Sequence, residues 1–210
     1  MNYHLVYQPF TIGDILLVYF EPHLKPTHHE VVGKMVKIFH LHHLIGVNFL
    51  QASLQFKNLP TGIMIKPAKE LLQAINQIFQ KENIEPLLPL PSGYVIAQIE
   101  SKKEHPESEN LFICQLYLGD APDQSPIKMT VVTNSIKVKE QDYVVVAKAG
   151  TLLMDGTFLV PTPFKGIVSE GMLCSSQTLR SPQLQQEGVY VFTKTQPLGK
   201  DFFGLDHVRN

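Results

Sequence analysis

The chain has 210 residues, of which 44% are hydrophobic and 18% charged, with a formal net charge of -1 and two cysteines. That is enough apolar content for one or two globular domains, and it excludes a disordered polymer. A chain this close to neutral is not basic overall, so an anionic partner has to meet a local patch.

Cys114 and Cys174 lie far apart, each inside an apolar run. That spacing gives neither a thiolate zinc site nor a disulfide framework, and both are read as free, buried thiols of a reducing compartment. Residues Met1 to Phe10 lack a basic stretch followed by an apolar core, so no secretory signal is expected. The apolar run Ile15 to Phe20 is too short to span a membrane. The expectation is a cytoplasmic protein with no membrane partner.

In chain order, Asp14 to Glu21, Val31 to Phe39 and Ile45 to Gln51 are valine-, isoleucine- and aromatic-rich runs separated by Pro, Gly and His clusters, and they predict strands. From Pro67 to Lys81 the apolar residues Ala68, Leu71, Leu72, Ile75, Ile78 and Phe79 recur at the spacing of one helical face. Pro67 suits a first helical turn, where its missing amide costs nothing. Residues 1–86 therefore read as a small α+β domain. Its histidines, His23, His28, His29, His40, His42 and His43, invite a metal reading. His40 and His42 fall in a predicted turn with no carboxylate beside them to fix a tautomer, so a solvated turn is expected and no metal site is assigned.

Three prolines, Pro86, Pro89 and Pro91, disfavour helix and central strand and mark residues 87–93 as an extended linker. Beyond it, Tyr94 to Glu100, Leu111 to Leu118, Lys128 to Thr133, Tyr143 to Ala147 and Val189 to Phe192 predict five strands over 94–205. So few strands in about a hundred residues suggest a small closed barrel, because closure removes exposed edges.

No Gly-rich phosphate loop, zinc-protease helix or nucleophile elbow is present in the sequence, and no cofactor is expected. Ser175 and Ser176 have no histidine-acid context beyond a distant His105, so no catalytic residue is assigned. The segment Lys165-Gly166-Ile167-Val168-Ser169-Glu170-Gly171-Met172-Leu173-Cys174-Ser175 is the most informative. Its two glycines suggest bare backbone brought close to a partner. From Ser92 onward there are 11 Lys and Arg against 13 Asp and Glu, a net of -2, which opposes a strong nucleic-acid field. Lys102, Lys103, Lys137, Lys139 and Lys165 nonetheless fall beside predicted strands, where a barrel can gather them on one face.

Three ordered motifs carry a family resemblance. His105-Pro106-Glu107-Ser108-Glu109-Asn110-Leu111 with Cys114 and Gly119 is similar to His-Pro-x-Ala-Asp-x-Leu-x-x-Cys-x-Val-x-x-Gly. Val131-Val132-Thr133-Asn134-Ser135 stands where the family has Ile-Val-Cys-Gly-Ala. Lys165 to Ser175 resembles Arg-Gly-Val-x-Ser-x-Gly-Met-Leu-Cys-Ser. Together they resemble the tRNA-binding OB-fold domain of phenylalanyl-tRNA synthetase beta chains, of some methionyl-tRNA synthetases and of free-standing proteins. Gly199-Lys200-Asp201-Phe202 resembles the segment that closes that domain. Gly13 to Val18 and Gly46 to Ser53 are similar to the N-terminal domain of the stand-alone YtpR-type proteins.

The resemblance implies a five-stranded OB-fold barrel that binds tRNA or another structured RNA without catalysis, by shape and backbone. Carried over by position, Lys102, Lys103 and Lys165 would meet phosphates, Asn134 a base edge or 2'-hydroxyl, and Ser169 and Met172 the RNA from the glycine-flanked segment. The chain departs from the pattern at Ser108-Glu109-Asn110, at Asn134 to Val138, and at Lys165, since lysine cannot form arginine's bidentate fork. The alternative is a protein-interaction module that docks on a synthetase, a ribosome-associated factor or a second copy as a homodimer.

Overall fold

The computed structural model describes residues 3–64, 66–85, 87–88, 92–180 and 186–204. The chain divides into two compact units, Met1–Ser92 and Gly93–Asn210. Of the Pro-rich linker expected over 87–93, residues 89–91 lie outside the described residues. No helix among the described residues is long and apolar enough to cross a membrane.

The first unit contains β1 (His4–Tyr7), α1 (Pro9–Ile12), β2 (Ile15–Tyr19), β3 (His28–Val32), β4 (Met35–His40), β5 (His43–Leu50), α2 (Ala52–Gln55), β6 (Gly62–Met64) and α3 (Lys69–Lys81). Its six strands form one antiparallel sheet in the order β3-β4-β5-β2-β1-β6. Side chains alternate across a strand, so the registers Leu5↔Val18, Leu16↔Phe49 and Val18↔Val47 put these residues on one face. All of them are buried. Onto that core α3 lays Leu71, Ile75 and Phe79, one residue per turn, with the Phe79 ring 6.1 Å from Phe20 and 6.2 Å from Phe49. Glu70 in its first turn and Lys81 in its last suit the helix dipole. Burial of these three side chains contributes about 1.5–3 kcal/mol each.

Asp14 ties β2 to α2. Its carboxylate accepts from the Tyr7 hydroxyl at 3.0 Å, the Ser53 amide at 2.9 Å and the Ser53 hydroxyl at 2.7 Å. The Ser53 hydrogen bonds hold its pKa below the ordinary carboxylate value.

Two expectations for this unit need correction. The strand expected over Val31 to Phe39 is a hairpin. Gly33, at φ +60°, turns the chain between β3 and β4 and pairs Val32 with Met35. The apolar run reads as continuous, but glycine permits the left-handed turn. The unit is also β-rich: the α part of the expected α+β organisation amounts to α3 and two single-turn helices.

The second unit contains β7 (Tyr94–His105), β8 (Ser108–Asp120), β9 (Pro126–Thr133), β10 (Tyr143–Lys148), β11 (Thr162–Phe164), β12 (Ile167–Ser169), β13 (Gly171–Leu173), α4 (Ser176–Leu179) and a 3-10 turn, Phe202–Gly204. Five strands form a curled, OB-like half-barrel in the order β13-β10-β7-β8-β9, and β11 and β12 make a separate hairpin. Register shifts at Ile99/Ser101 within β7 supply the bend. The concave side is filled by Val95, Ala97, Ile99, Cys114, Leu116, Val131, Val144, Val146 and Leu173, all buried. Cys114 and Cys174 are free and buried, and desolvation raises their thiols to about 11 and about 12.

The strand expected over Val189 to Phe192 is not a strand of this sheet. Val189 and Val191 make single bridges, to Ser175 and Val144. The fifth position belongs to β13, where Val146 pairs with Leu173. A strand of three residues that starts with glycine carries almost no periodic signal, so the sequence hid it.

Phe79→Ala should lower the denaturation free energy of the first unit by about 3–5 kcal/mol. For Asp14→Asn, the stability lost relative to the parent should be present above the ordinary carboxylate pKa. It should vanish as pH falls through the depressed pKa of Asp14, a convergence that acid titration of both proteins checks.

Candidate functional site

The glycine-flanked segment crosses the seam of the half-barrel, between the outer strands β9 and β13. Ser169 is 3% exposed. Its hydroxyl accepts from the Val132 amide at 3.0 Å and donates to the Gly171 carbonyl at 2.9 Å. The Glu170 amide donates to the Thr130 carbonyl at 2.9 Å, and its carboxylate accepts from the Thr130 amide at 2.7 Å. On the other side, the Ala149 amide donates to the Glu170 carbonyl at 2.9 Å.

This geometry changes the meaning of the two glycines. A Cβ on Gly171 would stand 2.5 Å from the Ala147 carbonyl oxygen, so the bare backbone approaches the protein's own strand β10 and not an external partner. Gly166, at φ +88° with open space around it, makes the β11–β12 turn with Lys165 at φ +44°.

The first and third motifs lock together at one end of the half-barrel. His105 is buried, with Nε2 3.0 Å from the Phe164 carbonyl and Nδ1 3.1 Å from the Glu107 amide. Nδ1 therefore accepts and Nε2–H donates, which assigns the neutral Nε2–H tautomer. The Lys165 ammonium donates to the Glu107 carbonyl. The His-Pro motif is thus a clamp on the β11–β12 hairpin.

Lys102 and Lys103 were expected together on phosphates. Adjacent strand residues point to opposite faces. Lys102 pairs across from Cys114, and its ammonium donates to the carbonyls of Ser135, Ile136 and Val138 at 3.0, 2.9 and 2.9 Å, 4.0 Å from the centre of the Phe112 ring. All three of its N–H donors are occupied, so Lys102 holds the loop after β9 and has none left for a phosphate. Lys103 is exposed, as is Asn134, and neither side chain makes a hydrogen bond among the described residues. Met172 is half-buried, opposite Ala147 and on the other face from the core residue Leu173.

Lys102, Lys165 and Ser169 are thus engaged within the protein at the end of the half-barrel that also displays Lys103 and Asn134. Met172 sits elsewhere on the sheet. Sequence reasoning passed over the ammonium groups of Lys148, Lys194 and Lys200, which, like that of Lys139, have no partner among the described residues. Lys148 and Lys194 lie in no motif, and Lys200 lies in the closing Gly199-Lys200-Asp201-Phe202 segment, where it was given no role of its own. By contrast, Lys128 and Lys137 are paired with Glu100 and Glu187 at 2.8 and 2.7 Å.

Ser175 caps α4, accepting from the Thr178 amide, and the Ser176 hydroxyl donates to the Gln186 carbonyl. Among the described residues no group of three or more His, Cys, Asp or Glu side chains is placed to hold a metal. His28 stacks on Phe39, and His40 Nδ1–H donates to the Lys25 carbonyl at 2.8 Å.

The family model described as "Putative tRNA binding domain" matches residues 94–201, the stretch that holds the curled sheet and its seam. "Putative tRNA-binding protein YtpR" of Bacillus subtilis (strain 168) is 26% identical over 197 residues, covering 91% of this chain and 94% of that protein. The phenylalanine–tRNA ligase beta subunit of Thermotoga maritima is 37% identical over 109 residues, 51% of this chain. That of Synechococcus elongatus is 31% identical over 137 residues, 62% of this chain. The matches span only 13% and 16% of those two ligase subunits.

Ser169→Ala strands the buried Val132 amide and should cost the second unit about 1–3 kcal/mol, read by chemical denaturation. Lys102→Met leaves three carbonyls without their common donor. Amide exchange over residues 134–139 should accelerate in that variant while the β7–β8 core stays protected.

Proposed function

The chain belongs to the tRNA-binding domain family, and on that premise we propose that its second unit binds tRNA or another structured RNA, non-catalytically, by shape and backbone. The observation that carries this reading is the family match over residues 94–201. The relative similar along almost the whole chain is itself described as tRNA-binding. The setting is the cytoplasm.

Direct contacts fall to side chains with free donors at the locked end of the half-barrel: Lys103 for a phosphate, and Asn134 for a base edge or a 2'-hydroxyl. Lys102, Lys165 and Ser169 act through position. They hold the loop after β9, the β11–β12 hairpin and the seam, so that the end meets the RNA as a rigid surface and little ordering entropy is lost on binding. Lys102 and Lys165 also leave their charge near that surface, where it still attracts phosphates at low salt. Met172 offers its half-buried thioether to an unstacked base from the neighbouring face.

A second reading is favoured by a different observation. Ile136 is 79% exposed on the loop that Lys102 holds, and Val160, Phe164 and Val168 are exposed on or beside the β11–β12 hairpin. Together with the net charge of -2 from Ser92 onward, these apolar side chains suit a protein partner: a synthetase, a ribosome-associated factor or a second copy.

Titration with mixed tRNA separates the readings. Under RNA binding, Lys103→Glu should weaken affinity and lower the slope of log affinity against log salt by about 1. Under the protein-docking reading, Ile136→Asp and Phe164→Asp should abolish self-association or synthetase capture while Lys103→Glu leaves it intact. A folded protein that binds no tRNA at tens of micromolar and low salt would sink the RNA reading.

A further inference from the structure

The first unit carries a cavity of about 230 Å³ lined by Tyr19, Glu21, Pro22, Leu24, Pro26, Ile38, Ile45, Gly46 and Asn48. It lies outside the family match at 94–201. The registers Tyr19↔Gly46, Leu17↔Asn48 and Val36↔Asn48 place its floor on the sheet face that α3 leaves uncovered. Gly46 lies between Tyr19 on β2 and Ile38 on β4, and the Tyr19 ring leans over it, 3.8 Å from where a Cβ would stand. The outer wall is the chain between β2 and β3.

That wall is fixed from several sides. The Phe20 and Glu21 amides donate to the Ile45 carbonyl at 2.9 and 3.2 Å, and the Thr27 amide to the Phe39 carbonyl at 2.8 Å. The His40 ring donates to the Lys25 carbonyl. The cavity is therefore preformed.

Its polar groups include side chains without a partner. The half-buried amides of Gln55 and Asn76 bond to the Leu50 and Leu88 carbonyls. The side-chain amide of Asn48, on strand β5, makes no hydrogen bond among the described residues, and neither does the Tyr19 hydroxyl. Asn48 thus presents one donor and one acceptor side by side. Glu21 adds a carboxylate, its oxygen 3.5 Å from His23 Nδ1. The remaining lining, two prolines, a leucine and two isoleucines, suits a flat apolar body.

We propose that this cavity binds a single adenine base. Adenine sets an amino donor beside a ring-nitrogen acceptor, the edge that an asparagine amide reads in bidentate fashion. Its amino group also donates to the Glu21 carboxylate. Uracil would turn a carbonyl oxygen toward that carboxylate, and guanine sets an amino donor beside a ring-nitrogen acceptor only at its N2/N3 edge, next to the sugar. Cytosine carries the right edge on a smaller ring and covers less of the apolar wall. The ring of Tyr19 and the Pro22, Leu24 and Ile38 side chains hold the base by apolar and stacking contact.

The test is a titration of the isotope-labelled full chain with adenosine, cytidine, guanosine and uridine, followed by backbone amide shifts. Adenosine should move the amides of residues 19–26 and 45–48 saturably and bind at least about fivefold tighter than guanosine or uridine. Asn48→Ala should weaken it about tenfold or more, the loss of one bidentate contact, and Tyr19→Phe by a smaller factor. Neither side chain bonds to the protein, so both variants should melt with the parent; if Asn48→Ala does not fold, Tyr19→Phe and Glu21→Gln carry the test.

A trinucleotide ending in adenosine distinguishes the source. If it binds more tightly than adenosine, the ligand is an RNA base; if adenosine alone binds, it is a free nucleoside. No saturable shift up to about 10 mM, equal response to all four nucleosides, or undiminished binding by Asn48→Ala overturns the proposal. Lys103→Glu should leave adenosine binding unchanged, so its outcome is separate from that of tRNA binding by the second unit.

Discussion

Everything distinctive in the second unit hangs on the two residues that cross its seam. A curled five-stranded sheet leaves two outer strands with unpaired amides and carbonyls, and buried groups of that kind cost about 1–3 kcal/mol each if left unmet. Ser169 and Glu170 meet them on β9 with one hydroxyl, one carboxylate and one backbone amide. Only because β13 then starts at a glycine can the chain lie against β10 without a Cβ striking the Ala147 carbonyl. The seam and the close approach belong to one arrangement.

From that arrangement the end of the half-barrel follows. The segment just before the seam is the β11–β12 hairpin, and a free hairpin of two three-residue strands is marginal by itself. His105 and Lys165 fasten it to the β7–β8 turn through Phe164 and Glu107. Lys102 fastens the neighbouring loop by three carbonyls. The motifs that looked like a list of contacts to a ligand are in large part the parts that keep the binding end rigid, and the groups left to touch a partner are fewer and lie between them.

The first unit shows the opposite economy. Asn48 and Tyr19 face a cavity with their hydrogen-bonding capacity unspent, whereas the half-buried amides of Gln55 and Asn76 in the same unit close on carbonyls. A half-buried amide left without a partner on strand β5 lowers stability unless something else is gained. Gly46 through Ser53 stood out by family resemblance alone, and the cavity adds a physical reason for Gly46 and Asn48.

Much was legible in the residues alone. The period of Leu71, Ile75 and Phe79 determined α3, and three ordered motifs determined the family, because such signals are local and survive without coordinates. The hairpin at Gly33, the three-residue β13 and the direction of each lysine were decided only in three dimensions. Strand alternation sends Lys102 and Lys103 to opposite faces once their register is known, and the number of carbonyls within reach of an ammonium depends on a loop more than thirty residues away. Sequence names the residue types a site needs; tertiary structure decides which of them have a donor left to give.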